Sequence, residues 1–266
     1  MSSRCQYCGR ELRTEDFSLP GHRPMLITLP CDCAQAEDER RRERLKADRE
    51  EMSRVLREVW ERANVPPRFR RVSADFDMAA PLSDGRWLYL YGENGVGKTR
   101  SACQTAKAYL IRNTRRDAIP TKDGFAEGSM RCNVSFRFVE AQGLLSEVSS
   151  SWHTWGMSEE QVKARWAGVD LLVLDDLGKG VPSEWAAETL FELVNSRWEA
   201  NQDRGTARAG DKPRLTIITS QYAIDDLAER YRKAGSETLG AMVSRLRGEC
   251  EERRIGGDDR RLSVES

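Results

Sequence analysis

The chain has 266 residues, enough for one or two domains and a sizeable core. Its 43 Lys and Arg balance 43 Asp and Glu, so binding a polyanion requires a local basic patch, not a global field. Charged residues make up 32% and no apolar run approaches 18 residues, which excludes a membrane-spanning helix, and the start, MSSRCQYCGRELRTEDF, has no apolar signal-peptide core, so the cytoplasm is the expected location.

Residues 1–35 are expected to form a small cysteine-rich module. Seven cysteines in a cytosolic chain rarely mean disulfides. Four of them fall in two pairs, Cys5-x-x-Cys8 and Cys31-x-Cys33. That is the number of thiolates a closed tetrahedral zinc site needs. CxxC is a good chelating half and CxC a tighter, less common one. Unrelated free thiols and an iron–sulfur cluster are the competing readings, and His22, between the pairs, is a possible substitute ligand. The intervening SLPGHRPMLITLP is too poor in apolar residues to fold on a core of its own. Cys103, Cys132 and Cys250 read as small buried residues.

Residues 36–67 read as a charged helix and linker. AEDERRRERLKADREEMSRVLREVWERA, 36–63, lacks Gly and Pro, and Leu45, Met52, Leu56, Val59 and Ala63 make one narrow apolar stripe. Its mixed charges read as a solvated face. Pro66 and Pro67 then stop the helix.

From residue 68 to 266 strands alternate with helices. WLYLY (87–91) predicts a strand, followed by a glycine-rich loop and a helix from Lys98 to about Arg112. NVSFRFV (133–139) is a second strand. VDLLVLDD (169–176) and RLTIITS (214–220) are continuous apolar runs, as in strands buried on both faces. SEWAAETLFELVNSRWEA (183–200) is an amphipathic helix with Ser183 as its cap. TKDGFAEGSM and NQDRGTARAGDKP read as mobile surface loops. The spacing implies an α/β fold, a parallel sheet flanked by helices.

The loop YGENGVGKTR (91–100) carries the chemistry. Gly92, four residues, then Gly97-Lys98-Thr99 follow a strand and open a helix, the context a phosphate-binding loop requires. Gly92, Glu93, Asn94, Gly95, Val96 and Gly97 let backbone N–H groups face a β-phosphate, with Arg100 just beyond. Lys98 places a point charge on the β- and γ-phosphates and Thr99 suits Mg²⁺. Asp175, at the C-terminal end of LLVLDDLG, is expected to hold Mg²⁺ through water, and Asp176 to orient and polarise the attacking water. Thr219, Ser220 or Gln221, at the end of the next strand, could reach between the two motifs; the rival reading is a polar strand end capping the next helix.

LYLYGENGVGKT, LLVLDDLG, LFELVNSRW, LTIITSQY and SRLRGECEERRIGGDDRRL occur in the order and spacing of the DnaC/DnaI-type replicative helicase loaders, which are AAA+ P-loop NTPases. The chain resembles that family over roughly residues 64–262, including the lead-in NVPPRFRRVSADF. The resemblance implies ATP and Mg²⁺ as ligands, a hexameric replicative helicase and single-stranded DNA as partners, and self-association through the AAA+ interface. Lys98 and Thr99 match Walker A; Asp175 and Asp176 match Walker B. Gln221 stands where the family usually has Asn in a sensor. Arg245, in SRL, matches the arginine finger that reaches a neighbour's nucleotide, with a surface salt bridge as the bland alternative. Arg261 matches a second sensor arginine, with Arg260 as the fallback. The family also implies that the cysteine module docks on the helicase, and that a helix within AQGLLSEVSSSWHTWGMSEEQVKARWAG meets DNA. Trp152, His153, Trp155, Lys163, Arg165 and Trp166 have suitable chemistry there, although tryptophans so near a core strand also read as packing residues. Two rivals share the core, an IstB-type transposition ATPase and a non-hydrolysing nucleotide-gated adaptor; Asp176 in place of the commoner Glu favours the latter.

Overall fold

The structure, a computed structural model, describes residues 3–18, 23–121, 124–152, 157–180, 183–202, 212–233 and 238–259. The chain divides into two compact units, Met1–Arg54 and Val55–Ser266.

In the first unit, β1 (Thr14–Phe17) pairs antiparallel with β2 (Met25–Thr28), and helix α1 (Ala34–Arg62) begins shortly after. Its strands are largely exposed, so cross-strand hydrogen bonds and not burial define them.

The second unit takes in the end of α1 and a 3₁₀ turn at Pro67–Phe69, where Pro66 and Pro67 end the helical path. A short helix, α2 (Ala80–Ser83), leads to β3 (Trp87–Tyr91), and α3 (Lys98–Arg112) follows the glycine loop. Next come β4 (Thr114–Thr121), β5 (Gly124–Cys132), β6 (Phe136–Glu140), α4 (Ala141–Ser151), α5 (Glu159–Ala167), β7 (Leu171–Leu177) and α6 (Glu184–Gln202). The unit closes with β8 (Leu215–Ser220), α7 (Ile224–Lys233), α8 (Thr238–Glu249) and β9 (Cys250–Arg254). Five strands form one parallel sheet in the order β6-β7-β8-β3-β9. The three central strands are buried along almost their whole length, as their continuous apolar runs require. Helix α3 packs on β3, β7 and β8, and α4 on β6 and β7. Ser183 accepts from the Ala186 amide at 3.2 Å and so caps α6.

One expected loop is a hairpin. Of TKDGFAEGSM, Thr121 ends β4 and residues 124–130 lie in β5, and these strands pair antiparallel from Thr114–Cys132 to Thr121–Gly124 with a bulge between Arg116 and Ala118. Glycines and charges gave it a loop's composition. Cross-strand pairing holds it instead, with Arg131 bound to Asp117 at 2.8 Å and Arg116 donating to the Gly128 carbonyl. In the other expected loop, NQDRGTARAGDKP, residues 203–211 lie outside the described residues.

Arg197 is the one charged side chain among the largest fully buried side chains. Its Nε donates to Thr216 Oγ1 at 2.9 Å, and its remaining nitrogens to the carbonyls of Ala167, Val169 and Leu215 at 2.9, 2.8 and 2.6 Å. One guanidinium thus ties α6 to the end of α5, the entry of β7 and the start of β8. Arg197→Leu, which leaves those acceptors buried and unpaired, is expected to cost about 3 kcal/mol or more in urea unfolding. Arg197→Lys should recover only part of it, since one ammonium cannot reproduce the planar fork. A wild-type midpoint for Arg197→Leu would show that the tie carries no stability.

Candidate nucleotide site

The site lies where β3, β7 and β8 end. Gly92 has φ +150°, and a Cβ there would stand 2.2 Å from the Ile255 carbonyl oxygen. Gly95 has φ +83°, and its missing Cβ would overlap the Asp259 carboxylate at 1.9 Å. Gly92 has no room for a side chain, because the backbone after β9 passes directly against it, and the positive φ of Gly95 disfavours one there. Lys98 folds back over the loop, its Nζ donating to the carbonyls of Gly92 at 2.9 Å and Glu93 at 2.7 Å. Val96 is buried beneath.

Asp175 is buried at the end of β7. Its Oδ1 accepts from Thr219 Oγ1 at 2.6 Å and its Oδ2 from Thr99 Oγ1 at 3.1 Å. Burial pushes its carboxyl up to about 6, with the hydrogen bonds from Thr219 and Thr99 opposing the shift and the Asp176 charge adding to it. The Thr219 hydroxyl also accepts from the Asp176 amide at 2.9 Å. Asp176 has φ +57°, in the left-handed region, where the β7–β8 register shifts between Leu174 and Leu177. Its carboxylate pairs with Lys179 Nζ at 3.1 Å.

These groups open on a cavity of about 520 Å³. Asn94, Gly95, Gly97, Lys98, Thr99 and Arg100 from the loop line it, together with Asp175, Asp176 and Gln221. Of the three polar residues ending β8, only Gln221 reaches the cavity. Thr219 is spent on the two aspartates, and Ser220 donates to the Leu177 carbonyl at 2.7 Å and caps the Tyr222 amide. Sequence reasoning missed four further lining residues, Arg68, Phe69, Glu140 and Lys179. Glu140 was findable, since it ends β6 in register with Asp175.

Thr99 and Asp175 present adjoining oxygens on this cavity, a donor set that suits Mg²⁺. Arg245 is not among the residues lining it. In α8 its guanidinium lies over the rings of Phe191 at 5.0 Å and Trp198 at 4.8 Å and donates to the Ala241 carbonyl at 3.0 Å. No salt bridge involves it among the described residues. Arg260, Arg261, His22, His153 and Trp155 lie outside the described residues.

The segment named for DNA holds two helices, α4 and α5. Trp166 is buried and donates to Glu147 at 3.0 Å. Trp152 is half exposed, donates to Glu159 at 2.7 Å and meets Trp185 edge-on. Lys163 pairs with Glu159 and Glu192, and Arg165 with Glu147.

In the first unit the four N-terminal thiols converge. Their sulfurs lie within 4.8 Å of one another, with Cys5–Cys33 at 3.8 Å and Cys8–Cys31 at 3.5 Å. Tetrahedral zinc–thiolate bonds of about 2.3 Å separate sulfurs by about 3.8 Å, so the cage fits zinc. The Cys8 and Tyr7 amides hold the Cys5 thiol down at about 6. For Cys31 the Cys33 amide pulls the same way, but desolvation and proton sharing with Cys8, Cys5 and Cys33 outweigh it and push the thiol up to about 11.

No protein-family model matches the chain, and no curated protein matches it in sequence. Solved structures do match in fold. DnaI is 20% identical, with a TM-score of 0.50 over 74% of this chain and 94% of that one. A candidate primosome component from Streptococcus pyogenes serotype M3 is 17% identical, with a TM-score of 0.50 over 76% of this chain and 97% of that one. The DnaC helicase loader is 21% identical, at a TM-score of 0.45, over 66% and 81%. The chain therefore shares the fold of DnaI, a parallel sheet flanked by helices, and carries near its start a four-cysteine cluster that could bind zinc.

Elemental analysis of freshly reduced protein is expected to find one zinc per chain. Replacing Cys5 and Cys8 with Ser should release it, because two thiolates cannot close a tetrahedral shell. Metal-free wild-type protein would leave the cluster as plain thiols.

Proposed function

We propose that the protein is an ATP-dependent loader of a hexameric replicative helicase onto single-stranded DNA. One observation carries the reading: the fold gathers Lys98, Thr99, Asp175, Asp176 and Gln221 on a single cavity. The fold likeness to DnaI and the loader-type motifs, DDLG and SRL with GGDDRR, support it.

The loop amides and Lys98 bind the phosphates. Thr99 and Asp175, the latter through water, are the residues that would hold Mg²⁺, which supplies charge neutralisation on the phosphate oxygens. Asp176 orients the attacking water and takes its proton. Gln221 contacts the γ-phosphate or that water. Arg261 supplies a cation from the same chain, with Arg260 as its fallback, and Arg245 supplies one to a neighbour's nucleotide across the AAA+ interface. Residues 1–35 form the helicase-docking module, 36–67 the connecting helix and 68–266 the ATPase. Trp152, Trp155, Lys163 and Arg165 are the DNA-facing set.

ATP hydrolysis measured with and without single-stranded DNA tests the nucleotide reading. Lys98→Ala should abolish ATP binding. Asp176→Asn should bind normally and lose roughly 10²-fold or more in turnover. Normal hydrolysis by Lys98→Ala protein would show the site to be misassigned. Recovery of a replicative helicase, and not a transposase, on affinity capture from the native host tests the loading role.

Arg245→Ala should bind ATP but lose about 10³-fold in rate under assembling conditions. Mixing it with Lys98→Ala protein should restore part of the activity, because one interface then joins an intact Lys98 site to an intact Arg245. Wild-type hydrolysis by Arg245→Ala alone would remove the trans role.

A further inference from the structure

We propose that Lys179 is a further catalytic cation of this site, supplied from the same chain and shared between Asp176 and the terminal phosphate. The inference rests on the hydrolytic reading above.

Lys179 lines the same cavity as Lys98 and Thr99. Its Nζ is 3.1 Å from the Asp176 carboxylate, and its side chain is half exposed, so the ammonium has room to turn within the cavity. The backbone beneath it is fixed. Gly178 and Gly180 both have positive φ, +85° and +82°, and a Cβ at Gly178 would meet Leu227 at 2.5 Å. The Lys179 amide donates to the Asp176 carbonyl at 3.3 Å, and its own carbonyl accepts from Gln142 at 3.2 Å. The Gly180 carbonyl accepts from Arg230. This tight turn folds Lys179 back over Asp176 instead of letting it run outward. The hydrogen bond and charge of Asp176 raise the Lys179 pKa above its ordinary range, with Glu140 and Asp175 adding to the shift, so the group stays protonated.

Two of the other three cations on this cavity, Lys98, Arg68 and Arg100, are held elsewhere. Lys98 is held to the carbonyls of Gly92 and Glu93. Arg68 lies over the Phe69 ring at 4.7 Å. Among the described residues Lys179 is the cation that forms a salt bridge with the acid that receives the proton, and this gives it a defined part in the step. The water oxygen bonds to the γ-phosphorus. The bond from that phosphorus to the bridging oxygen breaks, and its electron pair leaves with ADP. The water's proton passes to Asp176. Lys179, paired with Asp176 on the same cavity, sets a fixed positive charge beside the inorganic phosphate being formed. The cation is in place beforehand and needs no reorganisation from solvent.

The test measures nucleotide affinity, with a fluorescent ATP analogue, and single-turnover hydrolysis for full-length Lys179→Ala and Lys179→Arg. Lys179→Ala should bind within about threefold of wild type and lose roughly 10²-fold in rate, the scale seen when one preorganised charge stabiliser is removed. Lys179→Arg should recover most of the loss, and both variants should melt at the wild-type temperature. A merely structural residue would shift melting and would not split binding from rate. If Lys179→Ala hydrolyses ATP at the wild-type rate or faster, the pair with Asp176 is a surface contact or a restraint, and this inference fails alone. If wild-type protein does not hydrolyse ATP under any assembling condition, the hydrolytic reading fails and takes this one with it.

Discussion

A carboxylate buried at the end of a central strand is tolerated only where hydrogen bonds meet it. Asp175 is such a group, and meeting it organises the whole site. Thr219 comes from β8 and Thr99 from the first turn of α3, so one side chain ties together the acid motif, the strand beside it and the phosphate-binding loop. The Thr219 hydroxyl gives its hydrogen to Asp175 and accepts from the Asp176 amide. That second bond draws Asp176 out of strand geometry into the left-handed region and breaks the β7–β8 register. The strained residue is the one that bears the free edge of the site. A shift of the Asp175 carboxyl to about 6 shows that its charge is costly in this setting, so a cation placed beside it would be favoured.

The loop is constrained from its other side by the end of the chain's last strand. β9 pairs with β3 in parallel, and the Ile255 amide donates to the Tyr91 carbonyl at 2.7 Å. The polypeptide then crosses Gly92 and brings Asp259 against Gly95. The glycines therefore serve two demands at once: a tight backbone turn and close passage of a second segment.

What was legible in the sequence tracks burial. β3, β7 and β8 were readable because apolar-rich strands of five to seven residues have no other comfortable state in a domain of this size. The Lys98, Thr99, Asp175 and Asp176 set was readable because loop and acid motif each follow a buried strand. The hairpin β4–β5 was not, since its Ile119 and Phe125 are exposed and its pairing rests on backbone bonds and the Arg131–Asp117 pair. β9, Cys-Glu-Glu-Arg-Arg, carries a helix former's composition and is a strand only because β3 offers an open edge. Lys179 was invisible for a related reason. Its place in the cavity depends on two positive-φ glycines turning the chain back, and a lysine three residues past an acid has no pattern of its own. Thr219 was named among three equals, and only the distances separate the buried tie from the cavity-facing Gln221.

A chain with no net charge has to build any polyanion surface from cations that already have partners nearby. In α5, Lys163 sits between Glu159 and Glu192, and Arg165 against Glu147. Such pairs at a surface are worth only about 0–1 kcal/mol each, so exchanging a carboxylate for a phosphate costs little. The gain on the nucleic-acid side comes from released counter-ions, and it falls steeply with salt. If the DNA-facing set proposed above meets a single strand, two exchanged cations give a weak, salt-sensitive contact without sequence preference, and the half-exposed Trp152 adds stacking that is indifferent to the base.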